Sequence, residues 1–162
     1  MKIHIFTTGG TIDKIYFDAS SEFRIGDPQV GEVLHEANVS FEYEVTQLMR
    51  KDSLDLTDAD RAQIVAAVAA SPCRHILVTH GTDTMVETGR RLREVAAKVI
   101  VMTGSMQPAR FRTTDAIFNI ASAIVAVQVL APGVYIAMNG SVFEAHKVRK
   151  NRERRRFEPL EH

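Results

Sequence analysis

His75-Ile76-Leu77-Val78-Thr79-His80-Gly81-Thr82-Asp83-Thr84 joins a short, largely β-branched run to a turn rich in hydroxyls and glycine. The beginning of the chain has the same form, with Ile3-His4-Ile5-Phe6 leading into Thr8-Gly9-Gly10-Thr11-Ile12. Each hydroxyl cluster is expected where a strand ends and the backbone turns sharply. In an open α/β sheet the ligand crevice lies at the carboxyl ends of the strands, so two such turns can converge on one substrate.

Apolar runs at about residues 2–8, 43–49, 75–79, 98–103 and 134–138 read as five strands, and helical patterns fall between them at about 28–38, 57–70, 83–97 and 114–130. Thr57 followed by Asp60 is a relative of the capping box and marks the start of the second helix; Ser71-Pro72 marks its end. Strands that are apolar on both faces and alternate with helices predict a doubly wound, three-layer α/β/α sandwich with a mostly parallel sheet. Residues 13–27, polar and containing Gly26, read as a mobile loop, and Ser141 to Phe157 reads as a hairpin or extended arm. The 114–130 helix is apolar nearly all round, through Ile117, Ile120, Ile124, Val125 and Val127, which predicts deep burial or cover by another subunit, hence a homo-oligomer.

A chain of 162 residues with 45% hydrophobic content supports one compact domain, expected over residues 1–159. Leu160-Glu161-His162 resembles the start of a vector-encoded histidine tag and is set apart from the fold. The single Cys73 excludes an internal disulfide framework, and His4, His35, His75 and His146 lack metal-ligand spacing, so no metal is expected. No apolar run approaches the ~20 residues that span a bilayer, and the chain reads as soluble and cytoplasmic. Net charge is zero, yet seven of the twenty basic residues lie between Lys147 and Arg156, so a mildly acidic body carries a basic tail.

A Thr hydroxyl is a poor nucleophile at neutral pH unless a base or hydroxyl relay takes its proton. Lys98, entering the strand Val99-Ile100-Val101-Met102-Thr103, is the base candidate, because partial desolvation lowers a lysine's pKa. Thr82, Lys98 and Asp83 then form a nucleophile, base and orienting group if the third and fourth strands are neighbours. Gly9, Gly10 and Gly81 allow close backbone approach, and N–H groups there can stabilise the oxyanion of an attacked carbonyl. His80 reads as a structural hydrogen-bonding residue. Thr-Gly-Gly-Thr by itself is equally compatible with a phosphate cradle or a plain tight turn.

These motifs, with Thr103-Gly104-Ser105-Met106-Gln107-Pro108, Asp115, Phe118-Asn119 and Met138-Asn139, resemble the bacterial-type L-asparaginase and glutaminase family along nearly the whole chain. The resemblance implies amide hydrolysis through a covalent acyl-enzyme, without a cofactor: Thr11 attacks the side-chain amide of asparagine, ammonia leaves, and water releases aspartate. Thr82, Asp83 and Lys98 resemble the family's second catalytic group, and Tyr16 is the counterpart of its lid tyrosine. The resemblance aligns Ser53 and Asp83 with residues that hold the substrate's α-carboxylate and α-amine, and Gly10, Asp52, Gly81, Thr82 and Ser105 are also expected to contact substrate, although Ser53 can equally cap a turn with Asp52, and Ser105 and Asp115 the turn and helix after the fourth strand. Typical members carry a second domain that completes a neighbour's site, and this chain resembles the first domain or a short single-domain form.

A small-molecule substrate, asparagine and secondarily glutamine, is therefore expected. Two readings of another class stay open: a non-catalytic amino-acid-binding module, or an adaptor subunit using its basic tail. The tail has one aromatic, Phe157, and no reading helix, so it fits a solvated arm or subunit contact better than a nucleic-acid site, and no membrane partner is expected.

Overall fold

The computed structural model describes residues 1–17 and 21–160. Residues 18–20 of the expected loop and the last two residues of the expected tag lie outside the described residues. Six strands form the main sheet: β1 (Lys2–Gly9), β4 (Glu42–Lys51), β5 (His75–Thr79), β6 (Val99–Thr103), β7 (Gly133–Met138) and β8 (Ser141–Glu144). Their order is β4-β1-β5-β6-β7-β8, parallel throughout except for the last pair, β7 with β8. The mostly parallel α/β/α sandwich is thus the architecture found.

The period of two along the central strands divides the core. Ile3, Ile5, Leu77, Val99 and Val101 face α1 (Val30–Glu36) and α4 (Ala116–Val129), while Phe6, Ile76, Val78, Ile100 and Met102 face α2 (Asp58–Ala70) and α3 (Met85–Leu92). Every residue of β6 is buried, as a parallel strand covered on both faces must be. Truncating Ile76 or Ile100, both fully buried, to alanine would cost about 2–5 kcal/mol through lost transfer energy and a residual cavity.

Local signals set the element ends. The Thr57 side chain accepts from Asp60 N and Asp60 accepts from Thr57 N, closing the capping box at the start of α2. The described parts of the expected loop form strands: β2 (Lys14–Phe17) and β3 (Glu22–Ile25) pair antiparallel, and Phe23 packs between Tyr16 and Phe111. The reason lies in side chains that pair across strands, Tyr16 opposite Phe23, in a stretch whose polarity suggested a loop.

After β8, the chain forms a second hairpin, β9 (Val148–Asn151) with β10 (Arg156–Pro159). Val148 and Phe157 are buried in the α2/α3-side core and tie this basic segment to the body. α4 buries Ile120, Ile124 and Val127 but exposes Ile117, Phe118, Val125 and Val129. Among the described residues no helix is long and apolar enough to cross a membrane.

Candidate active site

β1, β5 and β6 end at the same level because their registers pair Thr7 with Thr79 and Thr79 with Thr103. Thr8 Oγ1 donates to Thr79 O at 3.0 Å, and His80 N donates to Thr103 O at 2.9 Å, fastening the three carboxyl ends together. The two hydroxyl-rich turns leave from this edge side by side. A Cβ on Gly10, whose φ is +86°, would lie 2.6 Å from the backbone N and Cα of Gly81. One on Gly81 would lie 2.7 Å from Ser53 Cβ and Oγ, so both glycines are required by close approach.

Thr11, Thr82, Asp83, Lys150, Arg152 and Arg155 line one cleft of about 300 Å³, together with Met106 and Gln107. Thr82 and Asp83 are joined by a lysine: Lys150 Nζ donates to Thr82 Oγ1 at 2.8 Å and to Asp83 Oδ1 at 2.9 Å. Thr82 Oγ1 also lies 3.8 Å from Met106 Sδ, a weak acceptor from which its hydrogen is easily redirected. Arg152 Nε adds a second cation 3.5 Å from Asp83 Oδ1.

Lys98 is the clear departure from expectation. Its Nζ donates to Ser71 O at 2.5 Å and Cys73 O at 2.8 Å, beside the amino end of β6. The strand between it and the ligand-facing edge spans about 16 Å at ~3.3 Å per residue, beyond a lysine's reach. The lysine beside Thr82 is Lys150, delivered by β9. Its signal in the sequence was an alternation inside the basic run: Lys150 lies two residues from buried Val148 and therefore shares its inward side.

Tyr16 is exposed on β2, packs edge-on against Phe23 with ring centroids 5.5 Å apart, and does not line the cleft. Asp52 is drawn to another surface: it accepts from Leu54 N as the cap of the Ser53–Asp55 turn and lies 3.5 Å from Lys14 Nζ. Ser53 is buried behind Gly81, where its carbonyl accepts from Thr84 Oγ1 at 2.7 Å and its hydroxyl accepts from Thr84 N at 3.4 Å. Its position braces the Thr82 turn from behind. Ser105 donates to Gln107 O at 2.5 Å, and Asp115 accepts from Met106 N and Gln107 N at 2.9 Å each, so these two shape the Met106-Gln107 wall.

His80 is fully buried, and burial depresses its pKa to about 4, which keeps the ring neutral. Since a carbonyl can only accept, Nδ1 carries the proton donated to Gly81 O at 2.7 Å, and Nε2 accepts from Thr88 Oγ1 at 2.8 Å. The imidazole is therefore spent on holding the Gly81 carbonyl and is a positioning group. Asp13, two residues after Thr11, is buried, accepts from Gln29 N at 2.9 Å, and has its pKa pushed up to about 7 by burial. Among the described residues no cluster of three or more His, Cys, Asp or Glu side chains could hold a metal.

The chain is 30% identical over 164 residues to a Haemophilus influenzae protein named "Probable L-asparaginase periplasmic", covering 91% of this chain and 46% of that protein. One component of the glutamyl-tRNA(Gln) amidotransferase of Methanococcus vannielii is 28% identical over 169 residues, covering 95% of this chain and 39% of that protein. The solved structure of the thermostable L-asparaginase from Thermococcus kodakarensis superposes with a TM-score of 0.84 at 25% identity, covering 99% of this chain and 51% of that one. The chain spans about half the length of the relatives it matches. Residues 2–158 match the family description "Asparaginase, N-terminal", and the chain belongs to the asparaginase family.

Proposed function

We propose that this chain carries an amidohydrolase site that converts L-asparagine to L-aspartate and ammonia through an acyl-enzyme on Thr11. The observation that carries this reading is the cleft that Thr11 shares with Thr82, whose hydroxyl is held by the same Lys150 ammonium that Asp83 binds. Family membership supplies the reaction class, since this chain belongs with asparaginases.

In the proposed sequence, Thr11 Oγ attacks the side-chain amide carbon and its proton passes through Thr82 Oγ1 to the departing nitrogen. The C–N bond breaks, ammonia leaves, and an ester to Thr11 remains. Water then attacks the ester carbon, returns a proton to Thr11 Oγ and frees the carboxylate. Lys150 keeps Thr82 in the acceptor role on one side, so its hydroxyl hydrogen is free to turn into the cleft; the fixed cation also favours the developing oxyanion. Glutamine is proposed as a slower substrate. We propose the cytoplasm as its compartment, consistent with the free thiol of Cys73, and a homo-oligomer as its assembly.

Ammonia release from asparagine and glutamine, compared among wild type, Thr11→Val and Thr82→Val, tests the assignment. Both substitutions should lower kcat by about 100-fold or more, the scale of a lost nucleophile or proton relay. Turnover that survives both would refute the residue roles. The amidotransferase relative favours a second reading, in which this chain works within a larger complex and hands ammonia to a partner. Free ammonia released by the chain alone would count against it.

A further inference from the structure

Thr11 is backed by a chain of polar contacts that the proposed reaction does not use. It opens the short turn Thr11–Asp13, in which Asp13 N donates to Gly10 O at 3.2 Å. From this turn Ile12 O accepts from Ala109 N at 3.0 Å, and Asp13 Oδ1 accepts from Gln29 N at 2.9 Å. Ala109 and Arg110 continue the segment that begins with Met106 and Gln107, two lining residues of the cleft. Gln29 closes the circuit: its Oε1 accepts from Arg110 Nε at 2.8 Å, and its Nε2 donates to Asp27 O at 2.7 Å. These partners fix the orientation of the amide, since a guanidinium only donates and a carbonyl only accepts.

Gln29 is 5% exposed, and all four of its polar groups are engaged, its own carbonyl accepting from Val33 N at 3.1 Å where α1 begins. A buried residue bonded on one side to the nucleophile's turn and on the other to the Met106-Gln107 segment sets the spacing between them. Removing one partner leaves a buried polar group unpaired, which the chain relieves by moving. Resting on the amide-hydrolysis reading, we infer that Gln29 and Arg110 are positioning residues, which hold Thr11 at its distance from the Met106-Gln107 wall by way of Asp13. Neither of them lines the cleft, so they act on the geometry of attack and not on substrate.

Two measurements test this. In the first, kcat and KM for ammonia release from L-asparagine are compared among wild type, Gln29→Met, Arg110→Met, the double variant and Arg110→Lys. Displacing a reacting atom by about 1 Å can cost about 100-fold, so the smaller loosening here should lower kcat by about 10-fold in either methionine variant, with KM within about two-fold. The double variant should fall no further than Gln29→Met, because both substitutions break one chain. Arg110→Lys restores a donor to Gln29 Oε1 and should recover part of the loss. Lys98→Met, which removes bonds at the far end of the sheet, is the control for stability alone and should leave kcat within a few-fold of wild type.

The second measurement is amide hydrogen exchange, a readout independent of turnover. Relative to the amides of β6, which open only with the whole fold, the Asp13 and Ala109 amides should exchange about 10-fold faster in both methionine variants and at the wild-type ratio in Lys98→Met. If wild type releases no ammonia, the hydrolase reading falls and the exchange ratio alone decides whether Gln29 and Arg110 brace the turn. Methionine variants with kcat no lower than that of Lys98→Met, losses that multiply in the double variant, a lysine no better than methionine at position 110, or unmoved exchange at Asp13 and Ala109 would each overturn the inference.

Discussion

Lys150 Nζ lies 2.8 Å from Thr82 Oγ1, across 68 residues of chain, and the same nitrogen lies 2.9 Å from Asp83 Oδ1. A cation held so closely by a hydroxyl and a carboxylate on one turn has little freedom left, since its side chain is 14% exposed. It converts a plain strand-end turn into a set of groups with defined hydrogen-bond directions.

Exchange of the two candidate lysines separates their roles. Lys150→Met should lower kcat for ammonia release by about 100-fold, the scale expected when an electrostatic and proton-positioning group is removed. Lys98→Met should leave kcat within a few-fold of wild type and lower stability by about 1–2 kcal/mol, through two lost bonds to carbonyls. The reverse pattern in kinetics and thermal melts would put the catalytic lysine at the wrong end of the sheet.

Gly10→Ala places a methyl 2.6 Å from the Gly81 backbone, at a φ of +86° that alanine rarely adopts. Strain and overpacking together should cost about 2–4 kcal/mol. Because relief requires the Thr82 turn to move, kcat should fall along with the melting temperature. Unchanged melting and kcat in this variant would mean that the two turns are not in contact.

Asp13 makes stability depend on pH with a definite sign. Its pKa rises from an ordinary 3.8 to about 7 on folding, so the folded state holds the proton more tightly than the unfolded chain. Its contribution is complete below the ordinary carboxylate range, declines as pH climbs from about 4 to 7, and is flat above that. Asp13→Asn keeps an acceptor for Gln29 N without the charge, and should be more stable than wild type by about 4 kcal/mol at pH 8. The gap should close near pH 4. Parallel melting-versus-pH curves for the two proteins would disprove the buried-carboxyl account.

The outer side of α4 carries Ile117, Ala121, Val125 and Val129 at successive i,i+4 positions, with Val125 60% and Val129 74% exposed. Such a stripe is expected to be covered on self-association. Val125→Glu should therefore lower the mass found by size-exclusion chromatography with light scattering. A wild-type protein that stays monomeric at high concentration would remove the stripe as an assembly surface.

Much of this molecule was legible along the chain. The all-apolar runs of β5 and β6, the Thr57–Asp60 cap and the turn residues at Gly10 and Gly81 are local or periodic signals, and each found its place in the sandwich. The Thr11 and Thr82 turns were legible as strand ends for the same reason. The β2–β3 hairpin was not, because what orders it is Phe23 packed between Tyr16 and Phe111, the latter 88 residues away.

Residue order alone determined the layers, the parallel strands and the edge at which both threonine turns emerge, because hydrophobic period, caps and glycine turns act over a few residues. Tertiary structure alone decided which lysine serves Thr82. Lys98 looked suitable from its neighbours, but strand direction sends it to the opposite end of the sheet. Lys150 looked like part of a solvated tail until Val148 and Phe157, buried against the helices, anchored its hairpin over the Thr82 turn. That choice depends on contacts between distant segments, which no local pattern encodes.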